Sequence, residues 1–195
     1  MSTNQREVAK RTFAREFNGA ELTFAESDDE FAPQYVMLPT GERMNRMFAV
    51  GTLTEVEDVG NEGEYWRGRV IDPTGTFFVY AGEYQPEAMG ALQQASPPSH
   101  VAVVGKPRTY ETDDGDVNVA VRPEHIVEVG QKERQQWIVE TATRTLERIE
   151  AFHAGETDDV VRAREYYGED VTMYLEAVIE ALEGLETNEP VEASP

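Results

Sequence analysis

The sequence predicts an α+β protein: a five-stranded β-barrel with a short N-terminal helix and a helical C-terminal region. Three observations carry this prediction. Five runs of alternating apolar and polar residues lie between residues 46 and 130. Turns rich in Gly, Asn, Asp or Pro separate several of these runs, as expected of antiparallel connections. After Gly130 the apolar residues recur at steps of three and four, which indicates helices.

Residues 1–45 predict a helix followed by an extension. Residues 4–17 set Phe13 and Phe17 among charged side chains, the pattern of a short amphipathic helix, and Asn18-Gly19 predicts its end. An acidic loop, ESDDE, and a strand candidate, QYVML, follow. The segment between this helix and the barrel is therefore expected to be mixed, with one short strand that Pro39 closes.

The barrel is predicted at residues 46–130. Its five strands are RMFAVGTLTEVEDV, EYWRGRVID, TFFVYAG, HVAVVGKPRTYET and DVNVAVRPEHIVEV. Between the third and the fourth lies EYQPEAMGALQQASPPS, where a Pro near a helix start and a Pro-Pro stop predict a helix. Five strands with a helix between the third and the fourth are typical of the oligonucleotide/oligosaccharide-binding (OB) fold. A different small β-barrel is the alternative.

The C-terminal part, residues 131–186, predicts a helical region. A helix at 132–153 carries an apolar stripe, and two further helices are predicted at 158–167 and 170–185. The polar residues 187–195 predict a flexible tail. The stripe and the tryptophan that flanks it comprise Trp137, Ile138, Ala142, Leu146, Ile149 and Phe152.

The chain is strongly acidic along its whole length. It carries 38 Asp and Glu against 17 Lys and Arg, a net charge of −21, and only three of the basic residues are lysines. Because the aromatic residues and alternating apolar runs are kept, disorder does not explain the acidity. We expect a halophilic protein whose surface carboxylates keep it hydrated in molar salt. An acidic interaction protein of a mesophile is the alternative.

Other features of the sequence narrow the class of protein. There is no cysteine, which excludes disulfides and thiolate metal sites. We find no apolar run of about 18 residues and no apolar segment typical of a signal peptide. We therefore expect a soluble, cytoplasmic protein.

Alternation divides the second and third strands into two faces. Burying arginines in a barrel would need partners for them, so we expect Trp66, Val70, Phe77 and Val79 inside. The outer face would then carry Tyr65, Arg67, Arg69, Phe78 and Tyr80.

Rings and guanidinium groups on one face match the chemistry of single-stranded nucleic acid. Bases stack on aromatic rings, and arginines contact phosphates. Lys106 and Arg108 share one side of the fourth strand and are expected as secondary phosphate contacts, and Arg43 and Arg46 are further candidates. The alternative is that Phe78 and Tyr80 are covered by the N-terminal segment or by a helix.

Nothing in the sequence predicts catalysis. The three histidines, His100, His125 and His153, lack the spacing of metal ligands, and neither a P-loop nor a G-x-S-x-G motif is present. We therefore expect a non-catalytic protein without a cofactor or a metal.

The segment RGRVIDPTGTFFVYAG resembles the OB domain of replication protein A subunits, where a strand ends in an acidic residue and turns through a Gly into small and aromatic residues. An OB region followed by a long helix, in an acidic chain without cysteine, is similar to the haloarchaeal replication protein A-associated proteins. These are likened to the middle subunit of the eukaryotic heterotrimer. The resemblance implies single-stranded DNA binding together with the large replication protein A subunit, in replication, repair and recombination.

The resemblance also implies a role for the helix at 132–153, which would correspond to the helix through which subunits assemble. Its apolar stripe would then bind the partner in a hetero-oligomer. The stripe could instead pack on its own barrel or on the helix at 170–185. A protein-interaction module that never touches DNA, and an RNA-binding protein, stay open as alternatives to a DNA-binding subunit.

Overall fold

The computed structural model describes residues 6–155 and 157–187. The predicted flexible tail lies outside these residues from position 188 onward. The secondary-structure elements, in chain order, are β1 (Lys10–Arg11), α1 (Ala14–Asn18), β2 (Leu22–Ala25), β3 (Gln34–Met37), β4 (Arg43–Met44), β5 (Met47–Asp58), β6 (Trp66–Asp72), β7 (Gly75–Ala81), α2 (Pro86–Gln94), β8 (Ser99–Glu111), β9 (Val117–Glu128), α3 (Gln131–Ala154), α4 (Asp158–Tyr167) and α5 (Thr172–Thr187).

Five long strands close into a barrel. Their order is β5-β6-β7-β9-β8, and β8 pairs with β5 to complete the circle. All pairs are antiparallel except β7 with β9, which run parallel. The helix α2 lies between β7 and β8 in the chain, as the sequence predicts. This is the closed barrel of the OB-fold, and the predicted α+β fold class is confirmed.

The interior of the barrel follows the alternation of its strands. On β6 and β7 the side chains of Val70, Phe77, Val79 and Ala81 are buried and alternate with partly exposed neighbours. Gly68 takes an inward position where a Cβ would lie 2.8 Å from Val79 Cγ2. The predicted division into inner and outer faces is therefore the one that the structure has.

The β6–β7 turn is held by one buried carboxylate. Asp72 accepts hydrogen bonds from the Thr74 amide at 2.7 Å, the Thr74 hydroxyl at 2.8 Å and the Gly75 amide at 3.1 Å. It also accepts one from the Ala14 amide at 2.6 Å. Burial raises the pKa of Asp72, while these bonds favour its charged form. The same side chain thus shapes the hairpin and fixes the start of α1 on the barrel.

The N-terminal helix is shorter than predicted. The sequence predicts a helix over 4–17, whereas α1 spans only Ala14–Asn18 and Lys10–Arg11 before it form the strand β1. The Lys10 amide donates to the Arg46 carbonyl at 2.8 Å, and Lys10 and Arg11 pair in parallel with β5. The free edge of β5 satisfies these backbone groups. Gly19 follows the helix at its C-terminal end, as predicted.

A second, three-stranded antiparallel sheet has the order β2-β3-β4, and the C-terminal helices pack on the barrel and on this sheet. Trp137 of α3 donates its indole N–H to the Phe48 carbonyl at 3.2 Å and meets Phe13 edge to face at 5.5 Å. Tyr167 of α4 donates its hydroxyl to the Met37 carbonyl at 2.8 Å. The predicted helices at 132–153, 158–167 and 170–185 match α3, α4 and α5 to within two residues at each end.

Candidate nucleic-acid interface

The outer side of the β6–β7 hairpin brings together the residues that the sequence singles out. Arg67 lies directly opposite Tyr80, and Arg69 opposite Phe78. All four side chains are partly exposed, and Tyr65, just before β6, is 44% exposed. The five predicted residues therefore lie on one surface.

The side chains on this surface contact one another. Tyr65 and Tyr80 stack with their centroids 5.7 Å apart and their planes 21° from parallel. The Arg67 guanidinium lies 5.5 Å from the centre of the Phe78 ring and donates to Glu57 at 2.6 Å. Within the described part of the chain, Phe78 and Tyr80 lie outside the group of side chains that pack on the main core. Both rings are partly exposed, and Tyr65 and Arg67 of the same surface lie against their faces.

Tyr110 of β8 belongs to the same surface, and the sequence analysis missed it. It is 44% exposed. Burial raises its pKa, and the neighbouring Tyr80 hydroxyl raises it further. Tyr110 stands two residues beyond Arg108 on the same side of β8, so the alternation that selected Lys106 and Arg108 also points to it. We call Tyr65, Arg67, Arg69, Phe78, Tyr80 and Tyr110 the aromatic face.

Three cations continue this surface along β8 and β9. Lys106 lies opposite Arg122 in the ladder, and Arg108 lies opposite Ala120. Burial, and then the charge of Arg122, lower the pKa of the Arg108 guanidinium. Across residues 6–155 and 157–187 no ion pair is formed by any of the three. We call Lys106, Arg108 and Arg122 the basic strip.

Arg43 and Arg46 are not available in the same way. Arg43 donates to both carboxylate oxygens of Asp159 at 2.8 Å and also pairs with Glu26. Arg46 forms a two-pronged pair with Glu124 at 2.9 and 2.8 Å. Such bidentate pairs hold the guanidinium in place. We therefore leave both residues out of the interface, although the sequence offered them as candidates.

Acidic loops border the aromatic face at one end. The β8–β9 turn contains Asp113, Asp114 and Asp116, and the β5–β6 loop contains Glu62 and Glu64. These carboxylates repel phosphate at low ionic strength, where screening is weak. In strong salt the repulsion is confined to the loops themselves.

The apolar stripe of α3 lies mostly inside the chain. Trp137, Ile138, Ala142, Ile149 and Phe152 are buried, and only Leu146, at 39% exposure, reaches the surface. The stripe therefore packs within the chain. Trp137, Ile138 and Ala142 join the main core with the barrel and α5, and Ile149 and Phe152 form a second cluster with side chains of β3, α4 and α5. These five side chains are not presented to a partner in this conformation. A partner-binding role for the helix stays a prediction.

Trp66 is half-buried at the end of β6 and packs on the main core, as predicted for an inward residue. Its indole nitrogen is enclosed without a hydrogen-bond acceptor among the described residues.

No described helix has the length and apolar character to span a membrane. Among the described residues, no group of three or more His, Asp or Glu side chains is placed to hold a metal ion.

Comparison with known proteins gives structural likeness only. No protein-family model matches the chain, and no curated protein matches it in sequence. Three similar solved structures are OBody AM2EP06 bound to hen egg-white lysozyme (15% identity, 44% of this chain and 80% of that one, TM-score 0.36), a small single-stranded DNA binding protein from Mycoplasma pneumoniae (13%, 43% and 92%, 0.35), and a mitochondrial single-stranded DNA binding protein from S. cerevisiae (20%, 44% and 92%, 0.34). Likeness this distant carries no argument about function, and the OB-fold is established by the strand order above.

Proposed function

We propose that this chain binds single-stranded DNA on its aromatic face and basic strip, as a non-catalytic accessory subunit of a replication protein A complex. It would act in replication, repair and recombination by occupying exposed strands. The observation that carries this proposal is the concentration of exposed or partly exposed rings and of four cations without an ion pair among the described residues, Arg69, Lys106, Arg108 and Arg122, on one side of a chain whose net charge is −21. Among the described residues five aromatic side chains are exposed, and Tyr65 and Tyr110 are two of them.

The chemistry of the surface supports a flexible, single-stranded ligand. Each base that stacks on an aromatic ring contributes about 1–3 kcal/mol whatever its sequence. The arginines and Lys106 lie beside the rings, where phosphates of a stacked strand would pass. Stacking survives in molar salt, while long-range attraction is screened beyond about 3 Å at 1 M. The interface therefore suits the halophilic setting that we propose from the composition.

The replication protein A assignment rests on two resemblances to that family. One is the sequence of the β6–β7 segment, and the other is the arrangement of an OB barrel followed by a long helix. Stacking does not distinguish DNA from RNA, since only contacts to the 2′-hydroxyl do. The second candidate is a protein-interaction module. It is favoured by the acidic loops, and Tyr and Arg are also the residues that dominate protein interfaces.

Oligonucleotide affinity of the full chain tests the proposal. We expect oligo-dT to bind the wild type in 2 M KCl, and Phe78→Ala/Tyr80→Ala to weaken binding at least ~30-fold, since two stacking partners are lost. Tyr166→Ala is the matched control, because Tyr166 is a 50% exposed ring on α4. Fluorescence anisotropy measures the dissociation constants.

Three other outcomes decide against the proposal. Equal affinity of the double variant and the wild type would remove the aromatic face from the site. Absence of any DNA binding by the wild type would favour the protein-interaction module. Tighter binding of oligo-U than of oligo-dT would favour RNA.

A further inference from the structure

We propose that a cleft beside the basic strip is a second nucleotide subsite, which takes the bases and phosphates of the same single strand after it leaves Tyr110. This inference rests on the proposed DNA binding and extends it. The cleft has a volume of about 810 Å³. Its walls are the β2–β3 loop, the start of α2, the middle of β8 and of β9, the N-terminal segment and the link between β4 and β5.

Two rings stand free at the walls of this cleft. Phe31 is 88% exposed and Tyr84 is 85% exposed. Together with Tyr65 and Tyr110 they make four of the five exposed aromatic side chains among the described residues. Neither ring has a partner ring within the described residues. Both faces of each ring can therefore receive a base.

All three cations of the basic strip line the cleft together with Arg6 and Arg46, and three carboxylates, those of Glu7, Glu87 and Glu124, line it as well. Glu7 accepts a hydrogen bond from Tyr35, and Glu124 is held by Arg46 at 2.8 Å. Glu87 lies 3.3 Å from His125. The acidic residues 26–30, which precede Phe31, do not line the cleft. Five Lys and Arg side chains against three carboxylates give the lining a formal charge of +2 with His125 neutral, which is complementary to phosphate and contrasts with the net charge of −21.

The cleft is continuous with the aromatic face. Tyr110, Arg108 and Lys106 occupy successive outward positions of β8, so they form a line of roughly 13 Å at two residues per step. Arg122 stands beside Lys106 at the far end. A strand stacked on Tyr80 and Tyr110 can lay its phosphates along this line and bring its next bases between Phe31 and Tyr84.

Oligonucleotide length separates the two subsites. We expect oligo-dT series from about 4 to about 16 nucleotides to bind the wild-type chain with affinity that rises with length until the cleft is filled. In Phe31→Ala/Tyr84→Ala the shortest bound oligomer keeps its affinity, while the longest loses roughly 5- to 150-fold for each base that no longer stacks. Both residues are highly exposed, so we expect thermal unfolding to be unchanged. Tyr166→Ala serves again as the control.

Photocrosslinking gives the position directly. An oligomer with 5-iodouridine at one end is expected to crosslink to Tyr84, and one with the label at the other end to Tyr65. The inference is overturned if Phe31→Ala/Tyr84→Ala binds every length as the wild type does, and that result leaves the aromatic-face proposal standing. If the wild type binds no length, both proposals fail. Selective loss for long oligomers, with the end-specific crosslinks, supports the inference.

Discussion

Four of the five cations of the proposed interface, Arg69 and the basic strip, form no ion pair within the described residues, whereas Arg67 pairs with Glu57. Within the described residues, eight lysines and arginines form ion pairs with carboxylates. The basic strip does not, although 38 carboxylates are present in the chain. Arg69 also forms no ion pair there, although Glu55 is its ladder partner on β5. Arg69 and the basic strip are thus available for contact with phosphate. Five cations outside the interface likewise form no ion pair within the described residues: Arg6, Lys132, Arg134, Arg162 and Arg164.

The outer positions of the barrel were predictable from the sequence, because a strand has a side-chain period of two. That rule correctly placed Arg67, Arg69, Phe78 and Tyr80, and extending it along β8 and β9 would have found Tyr110 and Arg122. Phe31 and Tyr84 lie in loops, where no periodicity exists. Only the folded chain shows that both reach the same cleft.

Gly105 lies on β8 directly before Lys106, and its ladder partner Pro123 follows Arg122 on β9. Substitution of Gly105 gives a prediction about stability at the level of one residue. Gly105 sits at an irregularity in the β8–β9 ladder, and a Cβ there would lie 2.7 Å from Pro123 Cα. Because the obstacle is backbone, we expect Gly105→Ala to displace β9 next to Arg122 and to destabilise the protein by about 1–3 kcal/mol. Urea denaturation measures the change.

Gly90→Ala is the matched control for this prediction. Gly90 is on α2, and a Cβ there meets no atom within 4 Å. We expect Gly90→Ala to leave stability unchanged or raise it by up to about 1 kcal/mol. Equal urea midpoints for the two variants would contradict the close approach of β8 and β9 at Gly105.

At the level of elements, a buried ion pair ties the N-terminal segment to α3. Glu16 and Arg148 have side chains only 2% and 8% exposed and meet at 2.6 Å. Thr40 donates to Glu16 as well, and Arg148 donates to the Arg11 carbonyl at 3.1 Å. The pair therefore joins β1, α1, the β3–β4 turn and α3 at one point.

Breaking this pair is expected to be costly. Arg148→Met leaves the Glu16 carboxylate buried without its cation, which destabilises the protein by about 3–5 kcal/mol. Arg144→Met on the same helix removes only an exposed pair with Glu147 and is expected to cost about 0–1 kcal/mol. Urea unfolding in 2 M KCl measures both, and the cost of Arg148→Met persists there because a buried pair is poorly screened.

A second variant separates the lost charge partner from lost packing. Glu16→Gln/Arg148→Met removes the unpaired carboxylate, so we expect it to be more stable than Arg148→Met alone. If the double variant is no more stable than the single one, the cost comes from packing and not from the orphaned charge.

Element boundaries were predictable where packing and periodicity agree, as for α3, α4 and α5. They were not predictable at the N-terminus, because the free edge of β5 offers Lys10 and Arg11 backbone partners that compete with helix formation. The sequence pattern reports local preference, whereas an open strand edge is a property of the folded barrel.

At the level of the whole molecule, one main core draws on all three predicted segments. It includes Phe17 from the N-terminal segment, Val70 and Val103 from the barrel, and Ile138 and Val178 from the C-terminal helices. The change in sequence pattern at residues 46 and 130 marks a change of secondary structure. It does not reveal that the apolar stripe of α3 is used within the chain, since a stripe looks the same whether its partner is internal or another subunit. The domain boundaries stay a prediction.

The net charge of −21 makes salt dependence the whole-molecule test of the basic strip. For single strands, log K falls with log salt by about 0.7 for each phosphate neutralised. Three phosphate contacts, made by Lys106, Arg108 and Arg122, therefore contribute about −2 to the slope of log K against log salt. The acidic body opposes binding at the same time, because repulsion reaches about 10 Å at 0.1 M salt and about 3 Å at 1 M. The slope of the wild type alone thus mixes two effects of opposite sign.

Two triple variants separate the phosphate contacts from the repulsion by the acidic body. Lys106→Gln/Arg108→Gln/Arg122→Gln and the control Lys132→Gln/Arg144→Gln/Arg162→Gln each lose three positive charges, so both shift the net charge from −21 to −24. Repulsion by the acidic body is then matched, and only the first variant lacks the phosphate contacts. We expect the slope of log K against log KCl, measured with oligo-dT from 0.1 to 2 M, to be less negative by about 2 in the first variant than in the control. Equal slopes would mean that these cations contact no phosphate. Binding would then rest on the rings alone, and the basic strip would lose its place in the interface.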